Sequence, residues 1–63
     1  MSFRDRGEEF VVFDADGHEV DWYDPYHWHR DFGNGLVEVD NGAYTYDVHI
    51  PEGGSYTIRK RRE

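Results

Sequence analysis

The chain has no cysteine. Disulfides and thiolate metal sites are therefore excluded, and whatever core forms must hold without a covalent staple. No run of 18 apolar residues occurs, so no membrane-spanning helix is expected. The opening Met1-Ser2-Phe3-Arg4-Asp5-Arg6 lacks the apolar stretch of a secretory signal. Positive charge is scarce where it would matter most. Between residues 7 and 58 the sole basic residue is Arg30, against twelve acidic ones. The other basic residues, Arg4, Arg6, Arg59, Lys60, Arg61 and Arg62, stand at the two ends. Twelve acidic groups less one basic group give the body a net charge of −11. Such a body repels phosphate, so direct nucleic-acid binding is not expected.

What the chain does have in quantity is aromatic rings, eleven in 63 residues. An acidic chain that stayed disordered would be poor in them. One small domain is expected, with a net stability of roughly 3–5 kcal/mol, in which large rings supply the burial that a short chain lacks. One lysine against six arginines, with abundant Asp, Glu and Gly, fits a GC-rich haloarchaeal, actinobacterial or viral source and a cytoplasmic or virion-associated protein.

Apolar residues recur mostly at spacing two, which predicts strands. The first hairpin is Glu9–Phe13 against Glu19–Tyr23, turning at Asp14–His18 with Gly17 in the left-handed region. That register pairs Phe13 with Glu19, Val12 with Val20 and Phe10 with Trp22, and gives one apolar face. Asn41-Gly42 predicts a two-residue turn pairing Val39 with Tyr44 and Val37 with Tyr46. A third turn at Pro51–Ser55 sets Ile50 opposite Tyr56, Val48 opposite Ile58, Asp47 opposite Arg59 and Thr45 opposite Arg61. Between the hairpins, Asp24-Pro25 reads as a helix start and Gly33 as its stop, with Trp28 and Phe32 on one side. Trp22 and Phe32 are expected inside; Tyr23, Tyr26 and Trp28 are the rings expected outside.

The expected fold is all-β: a hairpin, a short helical turn and a three-stranded antiparallel meander, five strands in all. This strand order over residues 8–61 resembles small SH3-like barrels, in which a hairpin packs across a three-stranded sheet. The resemblance carries no motif, since the Ala-Leu-Tyr-Asp-Tyr stretch of signalling SH3 domains is absent. A single twisted five-stranded sheet covered by segment 24–33 is the alternative.

Little of the chain suits catalysis. Ser2 and Ser55 lack the context of a nucleophile elbow, and Gly33-Asn34-Gly35 and Gly53-Gly54 read as turns rather than phosphate loops. Asp14-x-Asp16-Gly17 fails the calcium-loop pattern, because aligning Gly17 places Val12 and Tyr23 at ligand positions. His27 and His29 are the only histidine pair with metal-ligand spacing. They share a side if extended and diverge if helical. No enzyme activity, cofactor or bound metal is expected; a His-based metal-binding protein is the third reading.

The better candidate site is aromatic and acidic: Tyr23, Tyr26 and Trp28 beside Asp21, Asp24 and Asp31. Rings next to carboxylates suit an Arg- or Lys-rich surface. The expected function is a non-enzymatic protein–protein interaction module with a basic partner, with self-association through edge strands as a further possibility. The runner-up is a nucleic-acid mimic that fills the basic groove of a host protein. Separately, the acid can serve solubility in a salty cytoplasm. Raising KCl from about 0.1 to 3 M shrinks the screening length from roughly 10 to 3 Å. Thermal unfolding by circular dichroism should then show a midpoint that climbs steeply if self-repulsion limits stability. A flat response would show that the carboxylates are tolerated unscreened.

Overall fold

The computed structural model describes residues 7–60. They form six strands and no helix: β1 (Glu8–Phe13), β2 (Glu19–Tyr23), β3 (Trp28–Asp31), β4 (Leu36–Asp40), β5 (Thr45–His49) and β6 (Ser55–Lys60). The fold is all-β, as expected. The strands make two antiparallel three-stranded sheets, ordered β2-β1-β6 and β3-β4-β5, which are not closed into a barrel. Phe10 and Val12 of the first sheet pack with Val37, Val39 and Val48 of the second, and Tyr23, Tyr26, Ile50, Tyr56 and Ile58 surround them.

The first turn is as predicted. Gly17 (φ 85°) donates its N–H to the Asp14 carbonyl, and the Asp14 N–H reaches the His18 carbonyl. Phe13 pairs with Glu19, but Val12 then pairs with Asp21 rather than Val20. Val20 is bulged out, and a bulge moves every later side chain to the other face. Tyr23, not Trp22, therefore meets Phe10, with its ring inside and its hydroxyl donating to Asp21 at 2.9 Å. Trp22 is left 58% exposed, contrary to its expected burial.

The second hairpin is two residues out of the expected register: Val39 pairs with Tyr46 and Val37 with Val48. Asn41 opens the turn instead of sitting at its centre. Its Oδ1 accepts the N–H groups of Ala43 and Tyr44, and Gly42 takes the positive φ. A shift of two preserves the faces, so Val37, Val39, Tyr46 and Val48 still stand together, and Tyr44 alone is expelled.

The last strand overturns the expected meander. β6 pairs with β1, setting Phe10 opposite Ile58, Val12 opposite Tyr56 and Glu9 opposite Arg59. The pairs expected across β5 do not form; Thr45 with Arg61 lies outside the described residues. The cause is visible in β1, where Glu9 to Val12 are consecutively buried. Backbone groups so deep need a strand on each side. The connection passes so close that a Cβ at Gly54 would lie 2.2 Å from the Phe13 carbonyl oxygen, so only glycine fits.

The expected helical turn is a strand. The Asp24–Pro25 peptide is cis. The Tyr26 N–H donates to the Glu8 carbonyl and the His27 N–H to the Asp40 carbonyl, so these donors go to neighbouring strands and not to a helix. β3 then covers the edge of β4, which alternates His29 and Asp31 inward with Trp28 and Arg30 outward. Phe32, expected inside, is exposed in the turn that follows.

On the outer face of the first sheet, Arg59 donates to Glu9 and to Glu19. Glu9 lies one same-face row before Val11, and Glu19 one row after it, opposite Phe13. A guanidinium held by both spans the Val11 row, and Val11 is fully buried although it faces away from the core.

Phe10→Ala removes the ring on which both sheets close. Its expected cost of about 3–5 kcal/mol equals the whole stability expected of a domain this size. The variant should be unfolded at 25 °C by circular dichroism and amide dispersion, and a folded variant would show that Phe10 is not central.

Candidate functional site

The six expected site residues do not form one patch. Tyr23 and Tyr26 are partly buried around Phe10, at ring-centroid distances of 6.4 and 6.3 Å. Tyr23 reaches Tyr46 of β5, with Asp21 holding its hydroxyl. Trp28 stands on the outer face of the second sheet opposite Asp40. Asp24 is exposed beside Pro25. Asp31, at the end of β3, turns toward β6 instead. Burial in the core is what separates the tyrosines from Trp28: their rings fill the space that the small valines leave.

His27 and His29 are not brought together. His27 meets the Asp40 carboxylate at 3.2 Å, while His29 points inward, shares a 2.8 Å hydrogen bond with the Tyr26 hydroxyl and packs on Phe10 and Tyr56. Among the described residues, the one group with metal-ligand spacing is Asp14, Asp16 and His18. It is the first hairpin turn, where one Asp14 oxygen already accepts the N–H groups of Asp16 and His18.

Asp31 belongs to a feature that the sequence does not announce. A cleft of about 340 Å³ opens between the β3–β4 turn and the β5–β6 connection. Val37, Ile50 and the Tyr56 ring give it apolar lining, and glycines 33, 35 and 54 leave its edges without side chains. Its charged group is the Asp31 carboxylate, which is held from two sides: the Tyr56 hydroxyl donates to one oxygen and the Gly33 N–H to the other, each at 2.8 Å. These bonds, the Tyr56 one foremost, keep the Asp31 carboxyl below its usual range. Burial and then the Asp31 charge push the Tyr56 phenol up. The pair meets only because β6 returns to β1, a long-range event with no local signal.

An ionised, oriented carboxylate above an apolar floor is suited to receive a cation that carries apolar surface. The cleft lining also holds two hydroxyls, those of Tyr56 and Ser55. No protein-family model, curated protein or solved structure matches the chain.

The perturbed groups set a pH window. Burial foremost raises Tyr23, Tyr26 and Tyr56, with help from Asp21, Glu8 and Asp31 respectively. A raised folded pKa gives stability that is full below the unfolded value of about 10 and lost as pH rises through the folded one. Backbone N–H donors, chiefly those of His18 and Gly42, lower Asp14 and Asp40, as Tyr56 lowers Asp31. A lowered pKa gives stability present above about 3.9 and lost as pH falls through the folded value. At moderate salt the fold should persist between these limits. Above the upper one, the rise in tyrosinate absorbance should coincide with loss of the circular dichroism signal. Full tyrosinate formation with the signal intact would show that these three phenols are not held by the fold.

Proposed function

We propose that this chain is a small acidic interaction module that acts by binding, not catalysis, and that its partner is a protein with a basic surface. The observation that carries this reading is the amount of apolar surface left outside a very small core. Val20, Trp22, Phe32 and Tyr44 are each about half exposed or more, and Trp28 and Tyr46 are more than a third exposed. Among the described residues the fully buried side chains are one phenylalanine and four valines, and both tryptophans are left at the surface. Exposed aromatics of this kind are the usual anchors of protein interfaces.

The charge around them supports a basic partner. On the outer face of the second sheet Trp28 is paired with Asp40, and Glu38 stands between Arg30 on one side and Asp47 on the other, so this row carries two acids and one base. Like charges facing across strands destabilise a sheet, and a partner's cation set between them would relieve that. The same carboxylate pair favours the second reading, mimicry of a nucleic-acid backbone toward a basic groove. A relationship to SH3-like barrels is part of this proposal, supported by the packing of the β1-β2 hairpin against the three-stranded sheet β3-β4-β5, with β6 beside β1. The outer strands of both sheets are the surfaces through which a second copy would add.

The test uses an arginine-rich peptide as the basic probe, with affinity measured across ionic strength. Trp22→Ser and Trp28→Ser should leave the melting midpoint nearly unchanged, within the effect of about 0.5 kcal/mol typical of surface positions, yet weaken binding. Binding should also fall steeply with salt. A larger loss from Glu38→Ala than from either tryptophan variant would favour mimicry. Failure of any basic probe to bind at low salt would refute the module reading.

A further inference from the structure

We infer that the Asp31–Tyr56 cleft seats a single arginine side chain of the basic partner. The inference rests on the module reading above and adds to it the contact point and the residue type recognised.

The geometry of the carboxylate is the first argument. An ionised carboxylate offers about four acceptor positions; the Tyr56 hydroxyl and the Gly33 N–H take one on each Asp31 oxygen. Acceptor positions therefore remain on both oxygens, as a forked guanidinium requires. The two bonds also fix the carboxylate before any ligand arrives, which lowers the ordering cost of binding. His29, two positions away on β3, helps lower the Asp31 carboxyl, but among the described residues no Lys, Arg or His comes within ion-pair distance of it, whereas Glu9, Glu19, Asp14 and Asp40 each have such a neighbour.

The lining is the second argument. Val37 and Ile50 offer an apolar wall for the methylene stem, and the Tyr56 ring a face or edge for the weakly hydrated guanidinium. Ammonium is a compact, strongly hydrated ion and gains less from such a wall, so arginine is preferred to lysine. The volume, about 340 Å³, lies at the small end of the roughly 300–1,000 Å³ range of ligand clefts and suits one side chain.

Two glycines at the rim differ in what holds them there. Gly54 is required by its contact with the Phe13 carbonyl, so its presence needs no ligand. Gly33 is different: a Cβ there would meet nothing within 4 Å. Its positive φ serves the turn, and the result is an open approach to the carboxylate.

The experiment follows backbone amide shifts of the full chain while a short Gly-Arg-Gly peptide with blocked ends is added. Parallel arms replace arginine with lysine or with citrulline, its neutral isostere. The arginine peptide should move the amides of Gly33, Gly35, Gly54 and Ser55 saturably. The lysine peptide should bind more weakly, and citrulline should leave those amides in place. Asp31→Asn should weaken the arginine peptide by about tenfold, the scale of a lost charge-assisted hydrogen bond. Tyr56→Phe, which keeps the ring and frees the carboxylate, should weaken it less. The citrulline arm needs no variant, so the outcome does not hang on whether Asp31→Asn folds. Shifts confined to the Glu38, Asp40 and Asp47 face, or equal shifts with citrulline, overturn the cleft assignment. If the cleft amides stay silent while the arginine-rich probe still binds through Trp22 or Trp28, the cleft fails and the module reading stands. If no basic probe binds anywhere, both fail.

Discussion

The ring of Phe10 is where the two sheets meet. Tyr56 stacks on it at 4.8 Å, His29 approaches at 5.7 Å, and Tyr26 and Tyr23 close its remaining sides at 6.3 and 6.4 Å. The rest of the buried core is valine. Valines on facing strands are too short to fill the space between two sheets, and a chain this small has no further layer to add. The tyrosines solve the problem because each has an apolar body and a polar tip. The bodies complete the core, and the tips end on Asp21, His29 and Asp31 at its margin. The residues that make the fold possible thus also fix the acidic side chains around it.

Acid on this chain falls into two kinds. Some carboxylates are structural: Asp14 and Asp40 close turns by accepting backbone N–H groups, and Glu9 and Glu19 hold Arg59 across the outer face of the first sheet. Others, such as Glu38 and Asp47, face one another on an open sheet, where Arg30 opposite Glu38 is the single base against two acids. Asp31 is of both kinds, tied to the fold by Tyr56 and Gly33 yet open on its remaining side. This division separates the acid that folding explains from the acid that only a solvent or a partner explains.

The local chemistry of the chain was largely legible. Five of the six strands, the Gly17 turn and the shared face of Val37, Val39, Tyr46 and Val48 follow from spacing and turn residues. What could not be read were choices between near-equivalent long-range pairings. Arg59 finds a carboxylate opposite it whether β6 lies on β5 or on β1, so charge does not discriminate. The consecutive apolar run Phe10-Val11-Val12-Phe13 was the better clue, since a strand apolar on both faces reads as a central one with partners on both edges. The bulge at Val20 exchanged Trp22 for Tyr23 inside, and no residue near it announces a bulge. Asp24-Pro25 suggested a helix because capping is local, whereas the donors that followed were taken by strands far away in sequence. The candidate site suffered most from this: the cleft exists only through the β6 return, and so was invisible to local patterns.

That return has a consequence for how the molecule comes into being. The second sheet is built from neighbours in sequence and can form as soon as residues 28–49 are available. The first sheet pairs Glu8 with Lys60, a separation of 52 positions. Contacts so distant in sequence are slow to find and come late in assembly. During synthesis, β1 can pair early with β2, but its other edge stays uncovered until residues 55–60 have been made. A strand with a continuous apolar run is therefore left with one edge open until its distant partner arrives, and a dense negative charge on the rest of the body is a direct way to keep such unfinished chains apart.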